Sequence, residues 1–250
     1  MSIIDSYDES EEIVKASIFT EGLKRLLQIA IVCFKQELME DIAHSEMFEE
    51  YSSITVCGEE MKIYKVRNVQ KDIIVYRTVM GAPAACMMME ELHSRGVNKF
   101  IFFGSCGTLN HSIPTGAFII PTEAYRDEGT SYHYLPAEDF ITVETADELV
   151  KIFEEEQIPY AKAKTWTTDA LYKETINKMK KRVEMGCSVV EMECSAIMTV
   201  GKARDLRVYE FLYSEDTLAG DNWDMKKLKE DRTYLLKECL KIALKVAEKI

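Results

Sequence analysis

Short apolar runs alternate with amphipathic stretches along most of the chain. Residues 28–34 (QIAIVCF) are nearly all apolar, the mark of a strand buried on both faces. An acidic, helix-like stretch follows to about Glu50. Residues 60–66 and 72–80 read as strands, the second rich in β-branched side chains. Residues 82–95 read as a helix stopped by Gly96. Residues 99–103 (KFIFF) predict a buried strand that runs into a glycine turn, Gly104-Ser105-Cys106-Gly107. Strands are expected over 116–122, 161–168, 188–193 and 208–213, and helices over 146–156, 174–184 and 195–204. From Thr233, apolar residues at Leu235, Leu236, Cys239, Leu240, Ala243, Leu244 and Ala247 keep the spacing of a helix that docks one face.

This alternation predicts an α/β fold, with a central mixed β-sheet flanked by helices on both faces. No linker, repeat or low-complexity stretch interrupts it after the first dozen residues. A single domain is therefore expected over 21–250, with residues 1–20 as an acidic, peripheral N-terminal segment. In such sheets ligands sit beyond the carboxyl ends of the strands, so the loops there are where chemistry belongs.

Composition narrows the partners. Acidic residues outnumber basic ones 43 to 31, a formal net charge of −12. That argues against a protein held on nucleic acid by its phosphates, and against attachment to an anionic membrane. No apolar run approaches the roughly 20 residues of a spanning helix. The first dozen residues lack the basic and apolar regions of a signal peptide, so a cytoplasmic protein is expected. The seven cysteines are scattered without a CxxC pair, and the four histidines lie far apart. Neither a metal site nor a disulfide framework is expected.

Four loops carry candidate chemistry. In Phe103-Gly104-Ser105-Cys106-Gly107-Thr108, two glycines and a small hydroxyl let backbone N–H groups and an Oγ converge on an anion or a sugar oxygen. A tight turn explains that segment equally well. Glu191 and Glu193 share one face at the end of SVVEME, where a carboxylate can accept hydrogen bonds from vicinal sugar hydroxyls. On spacing alone, one capping a helix and one solvated is the simpler account. Ser214-Glu215-Asp216-Thr217-Leu218-Ala219-Gly220-Asp221 holds an acid able to protonate a leaving group, or an ordinary Asx turn. Residues 125–134 (YRDEGTSYHY) crowd polar and aromatic side chains suited to stacking on a base or to a subunit contact.

Taken in this order, the segments resemble the purine nucleoside phosphorylase and uridine phosphorylase family. GVNKFIFFGSCGTL, VVEMECSA and FLYSEDTLAGDNWD carry the resemblance, with AYRDEGTSYHYLP and KTWTTDALYKET beside them, from about Gly81 to Trp223. The resemblance implies a three-layer sandwich and the phosphorolysis of a nucleoside, expected to be a purine nucleoside. It implies Asp216 as the acid facing the departing base, Glu193 gripping the ribose hydroxyls and Met192 against the sugar. Ser105 matches the phosphate hydroxyl, Cys106 and Gly107 lie beside the base, and Leu171 and Tyr172 stand where relatives stack an aromatic on it. Nucleoside and phosphate are the implied partners, phosphate as co-substrate and no further cofactor, in a homo-oligomer (dimer, trimer or hexamer).

The chain also departs from the family. Cys33-Phe34-Lys35-Gln36-Glu37 stands where relatives carry Gly-Asp-Pro-x-Arg, and Phe102 where many place a second phosphate arginine. Phosphate favours guanidinium partners. Lys35, Arg77, Arg126 or a neighbouring subunit's arginine are the substitutes, with Arg126 taken as the candidate. Thr175-Ile176-Asn177 replaces the uridine-specific Gln-x-Arg. Two alternatives stay open: an N-ribosyl hydrolase, in which water stands where phosphate would, and a catalytically idle nucleoside binder.

Overall fold

The computed structural model describes residues 2–220, 223 and 233–250. In chain order, α1 (Ala16–Phe19) precedes β1 (Ile29–Cys33), α2 (Gln36–Ala43), β2 (Phe48–Val56), β3 (Glu59–Val66), β4 (Ile73–Arg77) and α3 (Ala82–Ser94). Then come β5 (Lys99–Thr108), β6 (Phe118–Asp127), α4 (Ser131–Tyr134), β7 (Phe140–Thr142), α5 (Ala146–Glu155), β8 (Tyr160–Thr168) and α6 (Ile176–Glu184). The chain closes with β9 (Cys187–Glu191), α7 (Cys194–Ala203), β10 (Arg207–Thr217) and α8 (Thr233–Lys249).

The strands form one mixed sheet in the order β2-β3-β4-β1-β5-β9-β8-β6-β10, with β7 on β6. All five residues of β1 are buried, as its unbroken apolar run requires. Two groups of helices cover the sheet. α3 packs on α1 and α7, while α8 packs on α2 and α5. A single α/β domain with a mixed sheet is what the strand–helix alternation predicts.

One end of the sheet closes on itself, because β10 pairs with β5 as well as with β6. Five strands, β5, β10, β6, β8 and β9, make the ring. Each supplies one side chain to a plug at its centre: Cys106, Leu212, Ile119, Ala163 and Val189. All five are small or medium-sized, as the inside of a five-stranded ring demands. Cys106 is therefore a core residue. Its thiol points at the Tyr213 carbonyl, and burial holds its pKa well above the ordinary range.

Three local expectations change. The acidic stretch expected to be helical to about Glu50 stops at Ala43, and Phe48 opens β2. β2 and β3 make a hairpin in which Val56 pairs with Glu59 around Cys57 (φ 50°) and Gly58 (φ 84°). Two left-handed residues are the turn that suits strand twist, but a Cys-Gly pair signals it less clearly than Asn-Gly. Gly104-Ser105-Cys106-Gly107 is not a turn, since β5 runs through it to Thr108 with β10 on one side and β9 on the other. Residues 125–134 are likewise the end of β6 followed by the single turn of α4.

Candidate active site

The carboxyl ends of β5 and β10 lie side by side, and a bulge in β10 decides which acid faces inward. Tyr213 and Ser214 pair with Ser105 and Cys106, the register then shifts, and Asp216 pairs with Gly107. Glu215 is the extra residue, so the bulge aims Asp216 across Gly107. A Cβ at Gly107 would lie 2.8 Å from Leu218 Cδ1, 3.1 Å from Asp216 Oδ1 and 3.1 Å from Val190 Cγ1. Glycine is needed there for space rather than for a turn. The Trp223 indole donates to Asp216 Oδ2. Burial nevertheless holds the Asp216 pKa above the ordinary aspartate range, against the pull of that hydrogen bond.

Leu218 links this carboxylate to a pocket of about 250 Å³. Leu171, Tyr172, Glu174, Met179, Leu218 and Trp223 are among its lining residues. Leu171 and Tyr172 belong to a single 3-10 turn after β8, and Tyr172 is 92% exposed, an unusual state for a tyrosine on a pocket wall. Sequence resemblance thus assigns to the base two residues that the fold brings beside the Asp216 loop.

The two glutamates of β9 divide their work. Glu191 Oε2 accepts from the N–H groups of Glu193 and Cys194, both at 2.6 Å, and so satisfies the first turn of α7. Its other oxygen accepts from Thr165 at 3.1 Å and Thr167 at 2.6 Å. Glu191 is the helix cap. Glu193 is not the solvated partner that spacing suggested, because it is 7% exposed. Its Oε1 accepts from the Gly81 N–H at 2.6 Å. Burial, and then the charge of Glu191, push its pKa up to about 8, with the Gly81 bond opposing. Gly81 has φ 107°, a backbone conformation closed to ordinary side chains, and that geometry turns its N–H onto Glu193. Met192, half-buried, stands between the two glutamates.

Ser105 is half-buried on β5, two residues before Gly107 and on the face opposite Cys106. Arg126 is committed elsewhere. Its Nε donates to Ser131 Oγ at 2.8 Å, and its two terminal nitrogens donate to the carbonyls of Pro136 (2.8 Å) and Leu135 (3.3 Å). Its face stacks on Tyr132, 4.4 Å from the ring centre. The guanidinium ties down the segment after β6, a structural role that corrects its candidacy as the phosphate ligand. The Cys106 side chain fills the ring of strands, which leaves only its backbone to face the site. Phe102 is fully buried beside Phe100, 6.2 Å between ring centres. Arg77 remains: it ends β4, which runs parallel to β1 and β5, so it lies toward the same carboxyl end of the sheet as Ser105. It pairs in register with Cys33, and Phe34, the next residue, packs on Gly104, where an added Cβ would meet its ring at 3.2 Å. Arg77 makes a 3.3 Å ion pair with Glu59, whose side chain is itself largely exposed.

A family model for the phosphorylase superfamily matches residues 28–248. The chain belongs to that superfamily. Among curated relatives, a guanosine phosphorylase of Halorubrum lacusprofundi is 25% identical over 178 residues, 68% of this chain and 72% of that protein. A DeoD-type purine nucleoside phosphorylase of Bacillus cereus is 27% identical over 182 residues, 71% of this chain and 76% of that one. An uncharacterized protein of Acanthamoeba polyphaga mimivirus is 31% identical over 153 residues, and the match spans 60% of each chain. Among solved structures, a purine nucleoside phosphorylase of Toxoplasma gondii in complex with immucillin-H superposes with a TM-score of 0.72. It covers 90% of both chains at 20% identity and so supports the fold alone.

Three residues near the candidate site were not singled out from the sequence. Gly81, Glu174 and Trp223 are brought in by the fold. The signal for Gly81 was a glycine just before a helix with Pro83 in its first turn. Glu174 and Trp223 lie inside segments that carry the resemblance, KTWTTDALYKET and FLYSEDTLAGDNWD, but neither was singled out there. Among the described residues, no group of three or more His, Cys, Asp or Glu could hold a metal ion, and no helix is long and apolar enough to cross a membrane.

Proposed function

We propose that the chain is a nucleoside phosphorylase acting on a purine nucleoside. The observation that carries this reading is Asp216, set by a bulge over a glycine at the mouth of an apolar pocket, with burial keeping its proton at higher pH than an ordinary aspartate would. The names of the relatives, purine and guanosine phosphorylases, favour a purine base.

In this reading the base lies between Gly107 and the wall made by Leu171 and Tyr172. The C1′–N bond breaks with its electron pair going to the base, and the acid at Asp216 gives the base a proton, so that no free anion has to leave. A phosphate oxygen then forms the new bond to the cationic C1′. Glu193 and Met192 hold the sugar. A carboxyl group whose pKa is near 8 can both donate to one ribose hydroxyl and accept from the other. Ser105 takes a phosphate oxygen, and Arg77, toward the same carboxyl end of the parallel strands, is the cation to balance the anion, once freed from its exposed partner Glu59.

The hydrolase reading has one observation in its favour: Phe102 and Arg126, at or near expected phosphate positions, offer no free guanidinium. Product analysis separates the two. With inosine and inorganic phosphate, the phosphorylase yields hypoxanthine and ribose 1-phosphate in equal amounts. Free ribose as the sole sugar product would assign the hydrolase instead.

A further inference from the structure

Glu174 lies where the 3-10 turn of Leu171 hands over to α6, in a pocket it shares with Leu171, Tyr172, Met179, Leu218 and Trp223. Apart from the Tyr172 phenol, it is the one ionisable group among the described lining residues. It is half-buried, and among the described residues its carboxylate has neither a hydrogen-bond donor nor an ion-pair partner. No local duty accounts for it. The cap of α6 is Thr175, whose hydroxyl accepts from the Lys178 N–H at 3.4 Å. The Lys178 ammonium pairs with Asp127 at 3.5 Å instead. A carboxylate held among apolar side chains without a partner is costly, and a ligand that brings the missing donors removes that cost.

We propose that Glu174 determines base specificity in this pocket, accepting two parallel N–H bonds from one edge of a guanine, so that guanosine is the preferred class of substrate. The inference rests on the nucleoside-cleaving reading of the Asp216 site. Leu218 ties the two regions together. A Cβ at Gly107 would meet Leu218 Cδ1 at 2.8 Å and Asp216 Oδ1 at 3.1 Å, and the same leucine lines the Glu174 pocket. A base that rests on Leu218 within reach of Asp216 thus extends its far edge into the space that Glu174 lines. Leu171, Met179 and Trp223 offer apolar surface there, which holds any base alike. An ionised carboxylate, by contrast, only accepts. Guanine alone among the common bases sets two adjacent donors on one edge, N1–H and the 2-amino group. Hypoxanthine offers N1–H without the second. Adenine turns the N1 lone pair toward the carboxylate, a repulsive contact that rejects it.

The test is the ranking of three nucleosides. With phosphate present, kcat/KM should fall from guanosine to inosine to adenosine, by roughly tenfold or more for each charge-assisted bond lost. Glu174→Gln keeps the shape but presents one donor and one acceptor, the pattern that N1 and the 6-amino group of adenine match. The guanosine-to-adenosine ratio should then drop by roughly a hundredfold, the loss of two such bonds. A glutamate that merely supports the fold would change all three nucleosides alike. An equal loss for the three in Glu174→Gln, or a wild-type protein that prefers adenosine, overturns the proposal. Calorimetric binding of guanosine and adenosine, without turnover, separates this inference from the reading beneath it. If the wild-type protein releases no base at all, the activity reading fails. Guanosine bound at least tenfold more tightly than adenosine by the wild type, and not by Glu174→Gln, would still uphold the role of Glu174. Equal affinities in the wild type would refute it.

Discussion

Asp216 stands opposite Gly107 across the β5–β10 ladder, and the glycine has no side chain because the carboxylate and Leu218 occupy that space. Gly107→Ala would place a methyl group 2.8 Å from Leu218 Cδ1 and 3.1 Å from Asp216 Oδ1. Something must give, and overpacking of this kind costs about 1–3 kcal/mol. We expect a folded but less stable protein whose turnover falls more than its stability explains, read from urea unfolding and initial rates on one preparation. Undiminished turnover would mean that the Asp216 position is not critical.

The bulge before Asp216 makes the neighbouring acid a built-in control. Asp216→Asn should keep the fold and lower turnover by roughly a hundredfold or more, the usual contribution of a placed general acid. A crippled Glu215→Gln beside a normal Asp216→Asn would reverse the assignment of the two side chains.

Glu193 links the site to stability. Its folded pKa, about 8, lies above the usual carboxylate value of 4.5, so the folded protein holds this proton more tightly than the unfolded chain. Its contribution is full below about 4.5 and is lost as pH rises toward 8. Urea midpoints should therefore decline from pH 5 to 8, and Glu193→Gln should flatten part of the decline. The raised carboxyls of Glu174, Glu191 and Glu210 have the same sign and remain in the variant. An identical slope in wild type and Glu193→Gln would show that this proton is not held.

The two arginines should separate cleanly. Arg126→Ala removes three hydrogen bonds and a stacked face from a buried site, and a cost of roughly 2–4 kcal/mol in stability is expected. The KM for phosphate should stay near its original value. Arg77→Ala should do the opposite, raising the KM for phosphate by roughly tenfold or more, the loss of one charge-assisted contact, with little change in stability. A raised phosphate KM in Arg126→Ala alone would return the anion to the segment after β6.

Much of the fold was legible because apolar strands buried on both faces look like little else. The runs at β1, β4 and β8, and the amphipathic spacing of α8, each carry their own period. What was not legible depended on neighbours far away in sequence. Gly104 and Gly107 look like turn residues, yet they are strand positions cleared for Phe34 and Asp216. The Cys106 side chain is core, and only the closure of five strands reveals that. Arg126 was a free cation in the sequence and is a bound one in the fold. The resemblance points to Asp216 as the acid, while the one-residue bulge that aims it needs the partner strand to be seen. Residues 221–222 and 224–232, including Asp221 of the third loop, lie outside the described residues.

Phosphate dependence tests the central claim most directly. Initial rates of base release from inosine, measured in phosphate-free buffer and across a phosphate titration, should be negligible without phosphate and rise to saturation with it. Ribose 1-phosphate should appear in step with the base. Release at full rate in phosphate-free buffer, unchanged by added phosphate, would contradict the phosphorylase and leave the same site to water.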